Sequence, residues 1–135
     1  RLFKTIVVPE AVWQEVVIGD DADAAARELP VQTWPLREAV IPSPRVLAWN
    51  LGAGETAVLS HALSNPPQRA IIDDAAARRC AQTLQIPLLG TGGVLLLAKR
   101  RGVLSSVSEG LEKLRVAGLW ISDGLMDLLK TQAGE

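Results

Sequence analysis

The sequence contains little histidine and cysteine and no long apolar run. Its single histidine, His61, leaves almost nothing from which to build a histidine-based zinc site or a Ser-His-Asp triad. Its single cysteine, Cys80, cannot form an internal disulfide, which fits a reducing compartment. No apolar run approaches the roughly 18 residues of a membrane-spanning helix, and no segment resembles a signal peptide. These absences predict a cytoplasmic protein that makes no contact with membranes.

An excess of charge of either sign is also missing. The formal net charge is -1, so nucleic-acid binding would depend on a local basic patch rather than on the field of the whole protein. The 48% hydrophobic content of the 135 residues provides enough apolar material for the core of one domain. We therefore expect a single globular domain over residues 1–135.

Short apolar runs alternate with helical patterns along the chain. Strands are predicted in "TIVV" (5–8), "RAIIDD" and "IPLLG", with a helix in "AAARRCAQTL" between the last two. This alternation predicts an α/β fold on a parallel sheet, and residues 31–50 are expected to be a loop with at most one edge strand. Further helices are predicted at "EAVWQEVV", "GDDADAAARELP", "LGAGETAVLSHALS", "TGGVLLLAKRRG", "SVSEGLEKLRVAG" and "DGLMDLLK", with caps at Asp20 or Asp21, Gly102, Ser106 and Ser122.

Acidic residues stand where several of these elements begin. Glu15 lies on the helix after the first strand, Glu55 lies in the first turn of the helix behind "GAG", and Asp73 and Asp74 follow a strand. In parallel sheets, sites form beyond the carboxyl ends of the strands. Hard divalent cations take oxygen ligands, and a pair of such ions can activate water for phosphodiester cleavage. The pattern fits a metal-dependent nuclease, which needs no histidine.

Each of these acids also has a purely structural interpretation, which is the more frequent one for a single residue. Glu55 would be a dipole-favoured acid in a first helical turn, and Asp73 or Asp74 an ordinary N-cap. Glu15 would be a solvated helix position, and Asp74 could pair with Arg78 four residues later. Spacing alone therefore indicates a nuclease only weakly.

The runs "VVPEAVWQEV", "LGAGETAVLSHAL", "AIIDDAAARRCAQTLQIPLLGTGGVLLLAKRRGVL" and "GLEKLRVAGLWIS" together resemble an uncharacterised branch of the PIN-domain superfamily, related to VapC-type toxins. The resemblance implies a three-layer α/β/α fold with a central parallel sheet and ribonuclease activity dependent on Mg²⁺ or Mn²⁺. It also implies an RNA substrate and a cognate antitoxin protein that blocks the site. Glu15, Glu55 and Asp74 would hold the metal, with Asp73 as a possible substitute and Thr91 in a supporting position.

The chain departs from the family pattern at its start. The family's first strand is central in the sheet and normally ends in an aspartate, and no such segment precedes "RLFKTIVV". Either the intact protein has this strand and it was lost or cleaved, or the protein lacks it. In each case this chain is expected to be inactive or nearly so, and its core to be open to pairing with another chain, as in a homodimer. A non-catalytic PIN-like module that binds nucleic acid or protein is the alternative function.

Several other residues permit more than one interpretation. The basic side chains Arg78, Arg79, Lys99, Arg100 and Arg101 could bind RNA phosphates or form solvated helix ends. Trp34 and Trp49 could stack on bases, although a core or dimer-interface role is favoured, and Trp13 and Trp120 are predicted to be core residues. "GTGG" resembles a phosphate cradle only weakly, so a small-molecule site ranks last.

Overall fold

The computed structural model describes residues 2–18 and 24–135 and divides the chain into two compact units. The larger unit spans residues 5–90, and the smaller comprises residues 91–135 together with the first four residues. The caps predicted at Asp20 or Asp21 lie outside the described residues. None of the described helices combines the length and the apolar character that crossing a bilayer requires.

The larger unit contains two pairs of short parallel strands. Strand β1 (Ile6–Pro9) pairs with β2 (Pro35–Glu38), and Ile6 lies opposite Pro35. Strand β3 (Ala70–Ile71) pairs with β4 (Leu88–Leu89), and Ala70 lies opposite Leu88. The predicted α/β class with parallel strands is thereby confirmed, although among the described residues the strands form two two-stranded sheets instead of one continuous central sheet.

The helices of the larger unit cover these strand pairs. They are α1 (Glu10–Val17), α2 (Ala24–Glu28), a 3₁₀ turn (Leu29–Val31), α3 (Pro44–Leu47), α4 (Ala53–Ser64) and α5 (Ala75–Thr83). Helix α4 contacts β1 of one pair and β3 of the other, and α1 packs against α4. This central position of α4 places its amino-terminal turn beside α1.

A single apolar cluster forms the core of the larger unit. It includes the completely buried side chains of Val46, Leu59 and Cys80, together with Ile72 and Ile86 near the short strands. Burial of Cys80 agrees with its predicted role as a small apolar residue, and it raises the pKa of the thiol. Because this core holds β3 against α4 and α5, it also fixes the position of the residues that follow β3.

The smaller unit is a set of three helices, α6 (Thr91–Arg100), α7 (Val107–Val116) and α8 (Asp123–Gln132). The predicted caps are confirmed: the Ser106 hydroxyl accepts from the amide of Glu109 at 3.2 Å, and the Ser122 hydroxyl accepts from that of Leu125 at 3.2 Å. Gly102 follows α6 with a φ of 71°, which a side chain would strain. The core of this unit consists of Val107, Leu111, Met126 and Leu129.

The four tryptophans differ in burial, and not all of them match the prediction. Trp120 is 84% exposed in the described structure, so its assignment to the core is wrong; it lies in the segment between α7 and α8. Trp13 is only partly buried, and the guanidinium of Arg37 lies 4.5 Å from its ring centroid, as in a cation–π contact. Trp49 packs against the core of the larger unit, whereas Trp34 is 45% exposed.

Candidate active site

The amino-terminal turn of α4 receives a carboxylate from another helix. Glu15, on α1, accepts a hydrogen bond from the backbone amide of Gly54 at 2.9 Å, across 39 residues of sequence. Amides in a first helical turn have no partner within the helix, so an acceptor from outside satisfies one of them. The helix dipole also favours a negative charge at this end. The local sequence of α4 and the packing of α1 together hold Glu15 in this position.

Two glycines of "LGAGET" provide the space for acidic side chains at this turn. A Cβ placed on Gly54 would lie 2.5 Å from Oε2 of Glu15, which is closer than atoms can approach without movement. A Cβ placed on Gly52 would lie 2.6 Å from Oε2 of Glu55, the acid that follows in the same turn. Gly54 is buried, so the carboxylate of Glu15 occupies space that any side chain at position 54 would need.

Glu15 and Glu55, two of the predicted ligands, thus both have carboxylate oxygens at the first turn of α4, at Gly54 and at Gly52 respectively. Their donor atoms are all carboxylate oxygens, which suit a hard divalent cation. Magnesium is commonly bound through one or two protein carboxylates while water and substrate phosphate complete its octahedron. The pair fits that mode of binding, in which the protein supplies only part of the coordination shell.

The two neighbouring aspartates after β3 have separate roles. Oδ2 of Asp74 accepts from the amide of Ala77 at 2.9 Å, so Asp74 is the N-cap of α5. Asp73 points elsewhere: its Oδ1 lies 3.0 Å from the position that a Cβ on Gly90 would occupy. Nη1 of Arg78 lies 2.9 Å from that same position and donates to the carbonyl of Ile72 at 3.0 Å.

Gly90 therefore allows a carboxylate and a guanidinium to approach the end of β4 closely. Gly90 follows β4 directly, so this group lies at the carboxyl end of the β3–β4 pair, where sites of parallel sheets form. Of the two aspartates, Asp73 has the position expected of a site residue, whereas Asp74 has the position of a structural cap.

The structure does not gather all the predicted acids into one group. Over residues 2–18 and 24–135, no cluster of three or more histidine, cysteine, aspartate or glutamate side chains could hold a metal ion. An all-protein cage therefore does not fit the described residues, in contrast to the pair at the start of α4. Thr91, the predicted supporting residue, is partly buried and begins α6 directly after Gly90.

The basic candidates are divided between the two units. Arg78 and Arg79 lie on α5 of the larger unit, while the other three lie at the end of α6 in the smaller one. Nζ of Lys99 donates to Glu135 at 2.7 Å and to the carbonyl of Ala133 at 2.8 Å, which neutralises its charge locally. Arg101 donates to the carbonyl of Leu2 at 3.1 Å, and the side chain of Arg100 is exposed.

The sequence pattern did not indicate that glycines make space for the acidic side chains. The "GAG" tripeptide predicts the start of a helix, and "GTGG" predicts a tight turn, but neither pattern shows that a carboxylate from a distant residue lies against a missing Cβ. The only local signal is that Gly52, Gly54 and Gly90 all lie within three residues of a helix start.

Parallel strand pairs covered by helices define an α/β protein, in which acids lie at the start of α4 and after β3. Comparison with known families agrees: a family model described as a PIN domain matches residues 1–135, so the chain belongs to the PIN-domain family. The prediction of that superfamily is thereby confirmed. No curated protein and no solved structure was found to match the chain.

Proposed function

We propose that the chain carries the metal-binding site of a PIN-type endoribonuclease that hydrolyses phosphodiester bonds of RNA with Mg²⁺ or Mn²⁺. The observation that supports this most is the contact between Glu15 of α1 and the first turn of α4, next to Glu55. A structural cap alone would require one carboxylate there, whereas this turn holds two. PIN-family membership supplies the expectation that such acids serve a nuclease.

Glu15 and Glu55 would hold the cation, and the acids after β3 would supply a further carboxylate. Of those two acids we favour Asp73, because Asp74 uses one oxygen to cap α5. When bound, a divalent ion polarises a phosphoryl oxygen and lowers the pKa of a coordinated water. Arg78, fixed to the carbonyl of Ile72, carries a positive charge near Asp73 that suits a substrate phosphate.

The test compares single variants of the full-length gene product on a single-stranded RNA substrate with Mn²⁺ in the buffer. We expect Glu15→Gln and Glu55→Gln each to reduce cleavage by about 100-fold, because loss of one ligand weakens both metal binding and its orientation. Asp127→Ala is the matched control, since it removes an exposed acid of α8 in the other unit. Unchanged cleavage in a variant that lacks Glu15, Glu55 and both aspartates would overturn the proposal.

The same proposal extends to the biological role. The chain would be the toxin of a toxin–antitoxin pair, acting in the cytoplasm as a homodimer and blocked by its cognate antitoxin. Expression of the full-length gene product should then arrest growth, and its Glu15→Gln variant should not. Growth arrest by both forms, or by neither, would contradict the toxin role without bearing on RNA cleavage in vitro.

A non-catalytic binding module is the second candidate. It is favoured by the lack of a three-acid group among the residues that the structure describes. Such a module would bind RNA through exposed cations such as Arg79 and Arg100, with an affinity that falls as salt rises. RNA binding without cleavage, unaffected by Glu15→Gln, would favour the module over the enzyme.

A further inference from the structure

Three glycines of the larger unit lie against carboxylates. At Gly52, Gly54 and Gly90, an added Cβ would come within 3.0 Å of an oxygen of Glu55, Glu15 and Asp73, respectively. By contrast, Gly92 and Gly110 of the smaller unit meet leucine side chains, and an added Cβ meets nothing within 4 Å at Gly102, Gly118, Gly124 and Gly134. All three carboxylates belong to candidate site residues, so the missing Cβ atoms coincide with the proposed site.

We infer that Gly54 is a positioning residue that fixes the carboxylate of Glu15 beside Glu55, an inference that rests on the proposed metal-dependent function. The amide of Gly54 donates to Oε1 of Glu15 at 2.9 Å, while its missing side chain leaves room for Oε2. One residue thus both binds the carboxylate and makes space for it. Glu15 has no comparable constraint from its own helix, where it is an exposed position.

Alanine at position 54 is expected to move Glu15 without unfolding the protein. Gly54 lies within α4 and has no positive φ, so its backbone accepts alanine, which favours helix more than glycine does. The clash is with the far end of a flexible glutamate side chain, which can rotate away. A glycine needed only for folding would instead destabilise the protein when replaced.

The experiment measures Mn²⁺ affinity by calorimetry, RNA cleavage, the melting temperature and the carboxyl ¹³C shift of Glu15 in Gly54→Ala. We expect Mn²⁺ affinity to fall by about tenfold, as is common when a group that orients a ligand is lost. The melting temperature should change little, because the better helix propensity of alanine offsets the hydrogen bond that the amide of residue 54 loses. Gly124→Ala is the matched control, because Gly124 also occupies the second position of a helix and an added Cβ there meets nothing within 4 Å.

A double variant tests the steric origin of the effect. Aspartate is one methylene shorter than glutamate, so Glu15→Asp in the Gly54→Ala background should withdraw the carboxylate from the new Cβ. We expect this double variant to bind Mn²⁺ more tightly than Gly54→Ala alone. Affinity equal to wild type in Gly54→Ala, or no recovery in the double variant, would overturn the inference.

These measurements distinguish a failure of the proposed metal site from a failure of the positioning role of Gly54. If the wild-type full-length gene product neither binds Mn²⁺ nor cleaves RNA, the proposed function fails, whatever Gly54→Ala does. The ¹³C shift of Glu15 still reports on positioning in that case: it should change in Gly54→Ala and not in Gly124→Ala. An unchanged Glu15 signal would refute the role of Gly54 independently of metal.

Discussion

The adjacent aspartates offer a test of structural against functional roles at neighbouring positions. Oδ2 of Asp74 accepts the amide of Ala77, and loss of an N-cap of this kind typically costs about 1 kcal/mol. For a protein of this size we expect Asp74→Ala to lower the melting temperature by about 4 °C. Asp74→Ser keeps an oxygen that can cap the helix, so its stability should remain close to that of the wild type.

Asp73→Ala should affect Mn²⁺ affinity rather than the capping of α5. The N-cap of α5 is Asp74, so removal of the exposed Asp73 side chain should leave that cap, and the stability that depends on it, in place. Under our proposal it should weaken Mn²⁺ affinity, whereas Asp74→Ser should leave the affinity unchanged. The measurements are urea denaturation and calorimetric titration with Mn²⁺ for all three variants.

Two results would refute this division of roles. If Asp74→Ser is destabilised as much as Asp74→Ala, the contact with the amide of Ala77 does not cap α5 in solution. If Asp74→Ser, with its stability intact, loses Mn²⁺ affinity while Asp73→Ala retains it, Asp74 is the ligand that the sequence originally favoured.

Two further predictions concern stability. The hydrogen bond with Arg37, followed by that with Gln14, lowers the pKa of Glu10 from 4.5 to about 2, so the stabilisation is complete above pH 4.5 and is lost as the pH falls toward 2. Glu10→Gln should therefore be less stable than the wild type at pH 6, and most of this difference should be lost near pH 2 in denaturant titrations. A difference as large at pH 2 as at pH 6 would contradict the pairing. Leu111→Ala should lower the free energy of unfolding by roughly 3 kcal/mol, because Leu111 is completely buried, whereas Leu128→Ala, at a 53% exposed position, should change it little. Equal losses in the two leucine variants would show that the core of the smaller unit is not arranged as described.

Features encoded by neighbouring residues were predictable from the sequence. Ser106 and Ser122 cap the helices as predicted, and Gly102 has the positive φ expected after α6, because these contacts span only a few residues. The strand–helix alternation likewise indicated parallel pairing. Sequence could not choose between Asp73 and Asp74 as the N-cap, since both residue types cap equally well and the start of α5 is uncertain by one residue.

Features that depend on distant residues were not predictable in the same way. The contact between Glu15 and Gly54 depends on how α1 packs against α4, and no local pattern records it. Lys99 pairs with Glu135, which lies 36 residues away, so no local pattern could show that this charge of the basic segment at the end of α6 is already paired. Trp120 shows that a large apolar side chain is not reliably buried, because folded proteins expose much apolar surface.

Glu135, which follows α8, links the end of α6 to the start of α7. Its carboxylate accepts from Nζ of Lys99, from the amides of Val107 and Ser108 and from the hydroxyl of Ser106. Glu135→Gln would deprive α7 of an anion at its amino end and leave Lys99 with the carbonyl of Ala133 as its partner, without a paired negative charge. The same substitution would make the end of α6 more cationic, so the surface charge of this unit depends on the carboxylate at position 135.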